Sequence, residues 1–215
     1  MNAHRLAIAA MLLALATSAG ATTEREWRFK VYLDEQEIGY HRFQVLDRGD
    51  SRVVHSDAQF DVKFLFFTAY RYEHRNREQW HDGCLRAIRA NTDDNGTTYA
   101  VRGESIGDRF LVATGPQTAE LPSCVRTFAY WNLSLLQHSR LLNAQTGEYV
   151  DVAIERLGRE TVKVGGIDVP ARAYRLRAEK FDIKLWYSLD DRWLALDSTT
   201  AEGRQIRYRL TEVLP

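Results

Sequence analysis

Trp27-Arg28-Phe29-Lys30-Val31-Tyr32-Leu33 puts Trp27, Phe29, Val31 and Leu33 in step, with Arg28, Lys30 and Tyr32 between them. Successive side chains on a strand point to opposite faces, so this period of two marks a half-buried strand. The pattern recurs far down the chain, where Ile206, Tyr208 and Leu210 alternate with Gln205, Arg207 and Arg209. Between these ends the same reading predicts strands over Ile38–Leu46, Val53–Phe60, Leu85–Ala90, Thr98–Val101, Arg109–Ala113 and Tyr149–Arg156. Val162–Val164, Ala171–Arg177, Phe181–Tyr187 and Trp193–Asp197 follow, and an aromatic-rich run spans Val62–Tyr72. Turn signals such as Gly165-Gly166 and Glu202-Gly203 separate them at the rhythm of antiparallel β-proteins. Asp94-Asn95-Gly96 is the strongest, because Asn-Gly accepts the positive φ angles of a type I′ hairpin turn.

One stretch, Leu121–Gln145, breaks the rhythm. Asn132 is a good N-cap, and Leu133, Leu135, Leu136, Leu141 and Leu142 follow it. This predicts a short helix over 132–141, crossing between two groups of strands. No repeat, low-complexity tract or linker divides the chain. The expected fold is mainly β: a strongly curved antiparallel sheet or open barrel with one short helix near the middle.

The first residues predict the compartment. Arg5 precedes an apolar run from Leu6 to Ala16, followed by the small residues Ala19-Gly20-Ala21. This is the anatomy of a secretory signal peptide cut after Ala21. The run is shorter than the roughly 20 residues a bilayer requires, so no membrane span is expected once it is removed. Residues 1–21 are therefore read as a signal peptide, 22–215 as a single antiparallel β domain, and the protein as periplasmic.

Basic and acidic side chains balance at 29 each. Neutrality argues against nucleic acid as a partner, since that binding rests on a strong basic field. Cys84 and Cys124 are the two cysteines, and in an oxidising compartment an even count favours one disulfide between them. The rival reading is a nucleophilic Cys84 beside His81.

Motifs that suggest chemistry have plainer readings. Gly103-Glu104-Ser105-Ile106-Gly107 matches the G-x-S-x-G string of serine hydrolases, which acts only where a strand turns sharply into a helix. Here a strand is expected to continue, so a hairpin explains both glycines. Asn91, Asp93, Asn95 and Gly96 open like a calcium loop, but Arg102 stands where the closing Glu belongs. His41, His55, His74 and His81 fall on different predicted strands without ligand spacing, so no metal and no cofactor is expected.

From Tyr70 to His81 a strand would put Tyr72, His74, Asn76, Glu78 and Trp80 on one face. That face suits a polar pocket or an acid–base pair of His74 and Glu78; cross-strand pairing on a solvated face is the plainer reading. Aromatics at Phe128, Tyr130 and Trp131, and later at Trp186, Tyr187 and Trp193, suit either a β core or an apolar-ligand site. Tyr72, Tyr130, Trp131 and Trp186 are the residues expected to line such a site.

Four motifs carry a resemblance: Phe60-Asp61-Val62-Lys63-Phe64-Leu65, Phe128-Ala129-Tyr130-Trp131-Asn132, Leu142-Asn143-Ala144-Gln145-Thr146-Gly147-Glu148 and Leu185-Trp186-Tyr187-Ser188. Together they resemble an uncharacterised domain-of-unknown-function family of exported Gram-negative bacterial proteins. The resemblance implies no activity. A weaker likeness, carried by the Trp186–Trp193 hairpin, is to the open barrels of periplasmic lipoprotein carriers. This chain departs from them by having one short helix where they have several.

The leading expectation is a non-enzymatic soluble periplasmic protein that binds a lipid or other apolar or amphipathic envelope component. The alternatives are an envelope hydrolase or isomerase using His74 and Glu78, and a structural partner in an envelope complex.

Overall fold

A computed structural model describes residues 22–64, 67–200 and 202–213. The expected signal peptide lies outside these residues. The strands are β1 (Thr23–Leu33), β2 (Gln36–Arg48), β3 (Ser51–Phe64), β4 (Phe67–His81), β5 (Cys84–Asp94), β6 (Thr97–Ile106), β7 (Arg109–Thr114) and β8 (Gln117–Pro122). After a crossing segment come β9 (Arg140–Leu142), β10 (Tyr149–Asp151), β11 (Ala153–Val164), β12 (Ile167–Ala178), β13 (Phe181–Ser188), β14 (Trp193–Thr199) and β15 (Gln205–Val213).

Among the described residues thirteen strands form one antiparallel sheet, in the order β11-β12-β13-β14-β15-β1-β2-β3-β4-β5-β6-β7-β8. β9 and β10 pair only with each other. The sheet does not close, because β11 and β8 remain its two edges. The alternation that defines β1 sets its packing: Trp27, Phe29, Val31 and Leu33 are buried while Arg28 and Lys30 are exposed. The Asn-Gly turn joins β5 to β6 with φ of 50° at Asn95 and 90° at Gly96, and Gly96 N donates to Asp93 Oδ1 at 2.7 Å.

Residues 123–152 carry the chain from one edge of the sheet to the other, across its inner face. The disulfide Cys84–Cys124 and the bond from Leu85 N to Val125 O (3.1 Å) tie the start of this segment to β5. Its ring contacts then reach both wings. Tyr130 lies 5.2 Å from Trp193 on β14, and its neighbour Trp131 lies 5.8 Å from Trp80 on β4. In a flat sheet β14 and β4 would stand roughly 24 Å apart, at about 4.8 Å per strand. Adjacent residues touch both, so the sheet curls around the segment.

The expected helix over 132–141 is not present. Only Leu133–Gln137 winds, as a 3₁₀ turn capped by Asn132, whose side chain accepts from Ser134 N at 3.1 Å. Ser134, His138 and Ser139 are weak helix formers, and five residues are too few to repay nucleation. Leu141 and Leu142 instead sit in β9 opposite Val150 and Tyr149, and both are fully buried. The leucine spacing reflected core packing rather than a helical stripe. Other boundaries moved as well. The aromatic run splits between β3 and β4, and the Tyr149–Arg156 strand breaks at Val152.

The hydrolase-like string is ordinary strand. Ser105 lies on β6 opposite Phe110, and a Cβ on Gly103 would meet Phe110 Cε1 at 2.6 Å and Ile88 Cγ2 at 3.0 Å. Phe110 and Ile88 are buried, so Gly103 makes room for them. Gly103→Ala is expected to overpack this site and cost about 1–3 kcal/mol. Urea unfolding checks it, and an unchanged midpoint would show that the ring moves aside freely.

Candidate functional site

The inner face of β4 follows the sequence pattern. Tyr72, His74, Asn76, Glu78 and Trp80 point inward, while Arg71, Glu73, Arg75, Arg77 and Gln79 are exposed. Parity on β2 and β3 adds His41 beside Phe43, and Ser56 between Val54 and Ala58. Under the crossing segment these faces line a half-open cavity of about 330 Å³. One wall is the polar row His41, Ser56, His74, Asn76 and Glu78. The opposite wall is apolar, built from Phe128, Tyr130 and Trp131 with Ile183, Leu196 and Tyr208.

The cavity unites most of the residues singled out in the sequence. Tyr72, Tyr130 and Trp131 line it, and so do His74 and Glu78. Trp186 does not. Ile183, Leu185 and Tyr187 take the inward positions of β13, which turns Trp186 outward. There its indole donates to Glu160 at 2.8 Å, beneath Lys184 at 4.8 Å from the ring. His41, Ser56 and Tyr208 were missed as site residues, although His41 shares its parity with Phe43 and Val45.

Burial governs the polar row. His74 is 7% exposed, and burial lowers its pKa to about 4, with the Asp57 charge opposing the shift. Its Nδ1 pairs with Thr92 Oγ1 at 2.8 Å. Burial pushes the His41 imidazole well below its usual range, and the neighbouring His74 adds to the effect. His41 Nε2 lies 2.7 Å from Ser56 Oγ, and its ring stacks 4.1 Å from Phe43. Burial raises the pKa of Glu78, although Asn76 Nδ2 (3.0 Å) and Trp80 Nε1 (2.9 Å) donate to its two oxygens. The buried Thr127 hydroxyl beside it also favours the charged form.

His74 and Glu78 share a cavity but not a contact. Four residues of strand separate their Cα atoms by roughly 13 Å, and both carboxyl oxygens already accept protein donors. The arrangement offers neutral hydrogen-bonding groups opposite an aromatic wall. Among the described residues no three His, Cys, Asp or Glu side chains converge as metal ligands. No helix among them is long and apolar enough to cross a membrane.

The cavity has a mouth. A wider cleft of about 1400 Å³, bounded by β8 and residues 143–151, shares Asn143, Gln145 and Phe181 with it. Gln145 is held there by two strands. Tyr72 Oη donates to its Oε1 at 3.1 Å, and its Nε2 donates to Asp94 Oδ2 at 3.3 Å. Tyr70 Oη fixes Asp94 in turn, donating to Oδ1 at 2.7 Å.

The family model described as a domain of unknown function, DUF6134, matches residues 29–211. No curated protein matches the chain in sequence. Among solved structures the chain is similar to a β-barrel-like protein from Brucella abortus of another domain of unknown function, DUF1849. The TM-score is 0.64 at 8% identity, over 88% of this chain and 96% of that one. At such identity the likeness shows the fold alone.

Proposed function

Since the chain belongs to the DUF6134 family, whose description carries no activity, we propose from the cavity itself that it is a binding protein for a small amphipathic molecule. The observation that carries this reading is the half-open pocket of about 330 Å³ with a polar row facing an aromatic wall. Ligand cavities fall at about 300–1,000 Å³, with mostly apolar lining and a few placed polar groups. The apolar body of the ligand would lie against Phe128 and Trp131, and its polar end would meet Ser56, His74 and Asn76. The leader-like residues before Thr22 and the disulfide fit a periplasmic protein and an envelope component as ligand.

The test is native mass spectrometry of the purified protein together with titration by an uncharged hydrophobic dye. A co-purifying small molecule, or saturable dye binding, is expected. The absence of both a bound molecule and dye binding would overturn the reading. The enzymatic alternative predicts that His74→Ala abolishes turnover of a substrate while leaving the melting temperature in place.

A further inference from the structure

The proposed binding reading leaves the chemistry of the ligand open, and the lining of the cavity narrows it. We infer that the cavity selects by charge: it takes a small amphipathic molecule whose polar end is an uncharged oxygen acceptor, and rejects the same skeleton carrying a carboxylate, sulfonate or phosphate. This inference rests on the binding reading and goes further by naming the ligand class.

Three observations lead to it. First, no Lys or Arg is found among the described residues that line the cavity. The alternation of β4 sends Arg71, Arg75 and Arg77 to the outer face, where they are exposed. The remaining cation candidates, His41 and His74, are held neutral by burial. An anion entering this space would lose its water without gaining a counter-charge, which is among the costliest exchanges a protein site can make. Glu78 adds the wrong sign for an anion whenever it ionises.

Second, the free hydrogen-bonding capacity consists of neutral groups. The hydroxyls of Tyr130 and Tyr208 line the cavity and find no hydrogen-bond partner among the described residues. Both stay protonated, because burial raises their pKa values and the neighbouring Tyr72 raises them further. His74 spends Nδ1 on Thr92, and its Nε2 has no partner among the described residues. Asn76 Oδ1 is buried and unpaired. Neutral phenol donors suit a carbonyl, ether or hydroxyl oxygen, and Asn76 Oδ1 accepts a donor such as a hydroxyl. A buried polar group left unpaired costs about 1–3 kcal/mol, so a ligand that satisfies Asn76 Oδ1 gains by doing so.

Third, the space is small. At about 30 Å³ per water molecule, a cavity of about 330 Å³ holds on the order of eleven water-sized groups. A single short chain or a small aromatic skeleton fits this space; a larger molecule would have to extend through the mouth into the wider cleft.

Two probe pairs test the inference on the unmodified protein at pH 7.5. The first pair is N-phenyl-1-naphthylamine and its 8-sulfonate, which share a skeleton and differ in charge. The second is 1-decanol against decanoate, each displacing the uncharged dye. At least tenfold tighter binding of the neutral member is expected in both pairs. To separate selection from plain hydrophobicity, Asn76→Lys places a cation in the cavity and is expected to strengthen decanoate binding at least tenfold while weakening decanol. Far-UV circular dichroism checks that the variant folds; if it does not, Ser56→Lys serves in its place. Equal affinity for the two members, or an unchanged preference in the folded variant, overturns charge selection and leaves the binding reading intact. No binding of either dye or of decanol overturns both.

Discussion

Between pH 7 and pH 4.5 the protein is expected to lose about 2.5 kcal/mol of stability through His74 alone. The folded imidazole titrates at about 4 because burial disfavours its charged form, while an unfolded histidine titrates near 6.5. In that window the unfolded chain holds a proton at this site that the folded chain lacks, so acid favours unfolding. The effect is absent above about pH 6.5, grows as pH falls, and levels off below about 4. His41 acts in the same direction, since its pKa is also lowered by burial. Glu78 opposes them. Its raised pKa gives a contribution present in full below about pH 4.5 and lost as pH rises through its folded value. Asp34 and Asp47, whose pKa values are lowered, lose their contribution mainly below this window. Comparing wild type with His74→Gln by urea unfolding at both pH values isolates the histidine. The wild type should lose about 2.5 kcal/mol more than the variant. Equal losses would mean that the folded imidazole takes up its proton freely.

Replacing Cys84 and Cys124 together by alanine is expected to cost about 4 kcal/mol. The bond closes a loop with a sequence separation of 40, and in the chain-entropy model that restriction of the unfolded chain is worth about this much. For a domain of this size the melting temperature should fall by roughly 8–16 °C. The consequence extends to the site. Cys124 begins the segment that roofs the cavity, and the next residue, Val125, hydrogen-bonds to Leu85. Binding of the uncharged dye should therefore weaken in the double variant even where it remains folded. An unchanged melting temperature would show that the backbone bond from Leu85 to Val125 holds the segment without the disulfide.

How much of this was legible in the residues depends on the range of the interaction that decides each one. Alternation is local, so the strands and the inward face of β4 follow from spacing. The inward position of His41 is equally readable from Phe43 and Val45, which share its parity on the strand. The outward turn of Trp186 follows from Ile183, Leu185 and Tyr187 once they are counted as one face. The crossing segment is different. Its leucines satisfy a core built by strands far away in sequence, and no local period records that. Which face is concave depends on Tyr130 and Trp131 reaching β14 and β4 together, a contact no local rule predicts.

The pairing of β1 with β15 has a consequence for how the molecule assembles. These are the first and last strands among the described residues, yet they are neighbours in the middle of the sheet, with Phe29 opposite Leu210. During synthesis β1 through β8 can zip as successive hairpins, and β11 through β14 can do the same. The two halves stay unjoined until residues 205–213 arrive. Joining them closes a loop of nearly the whole chain, the kind of non-local step that slows folding. Until then β1 and β14 each present an open row of backbone donors and acceptors, which are templates for pairing with the wrong chain. The last of these thirteen strands to be made is thus the keystone of the sheet, and the time spent waiting for it is when the protein is most exposed to misassembly.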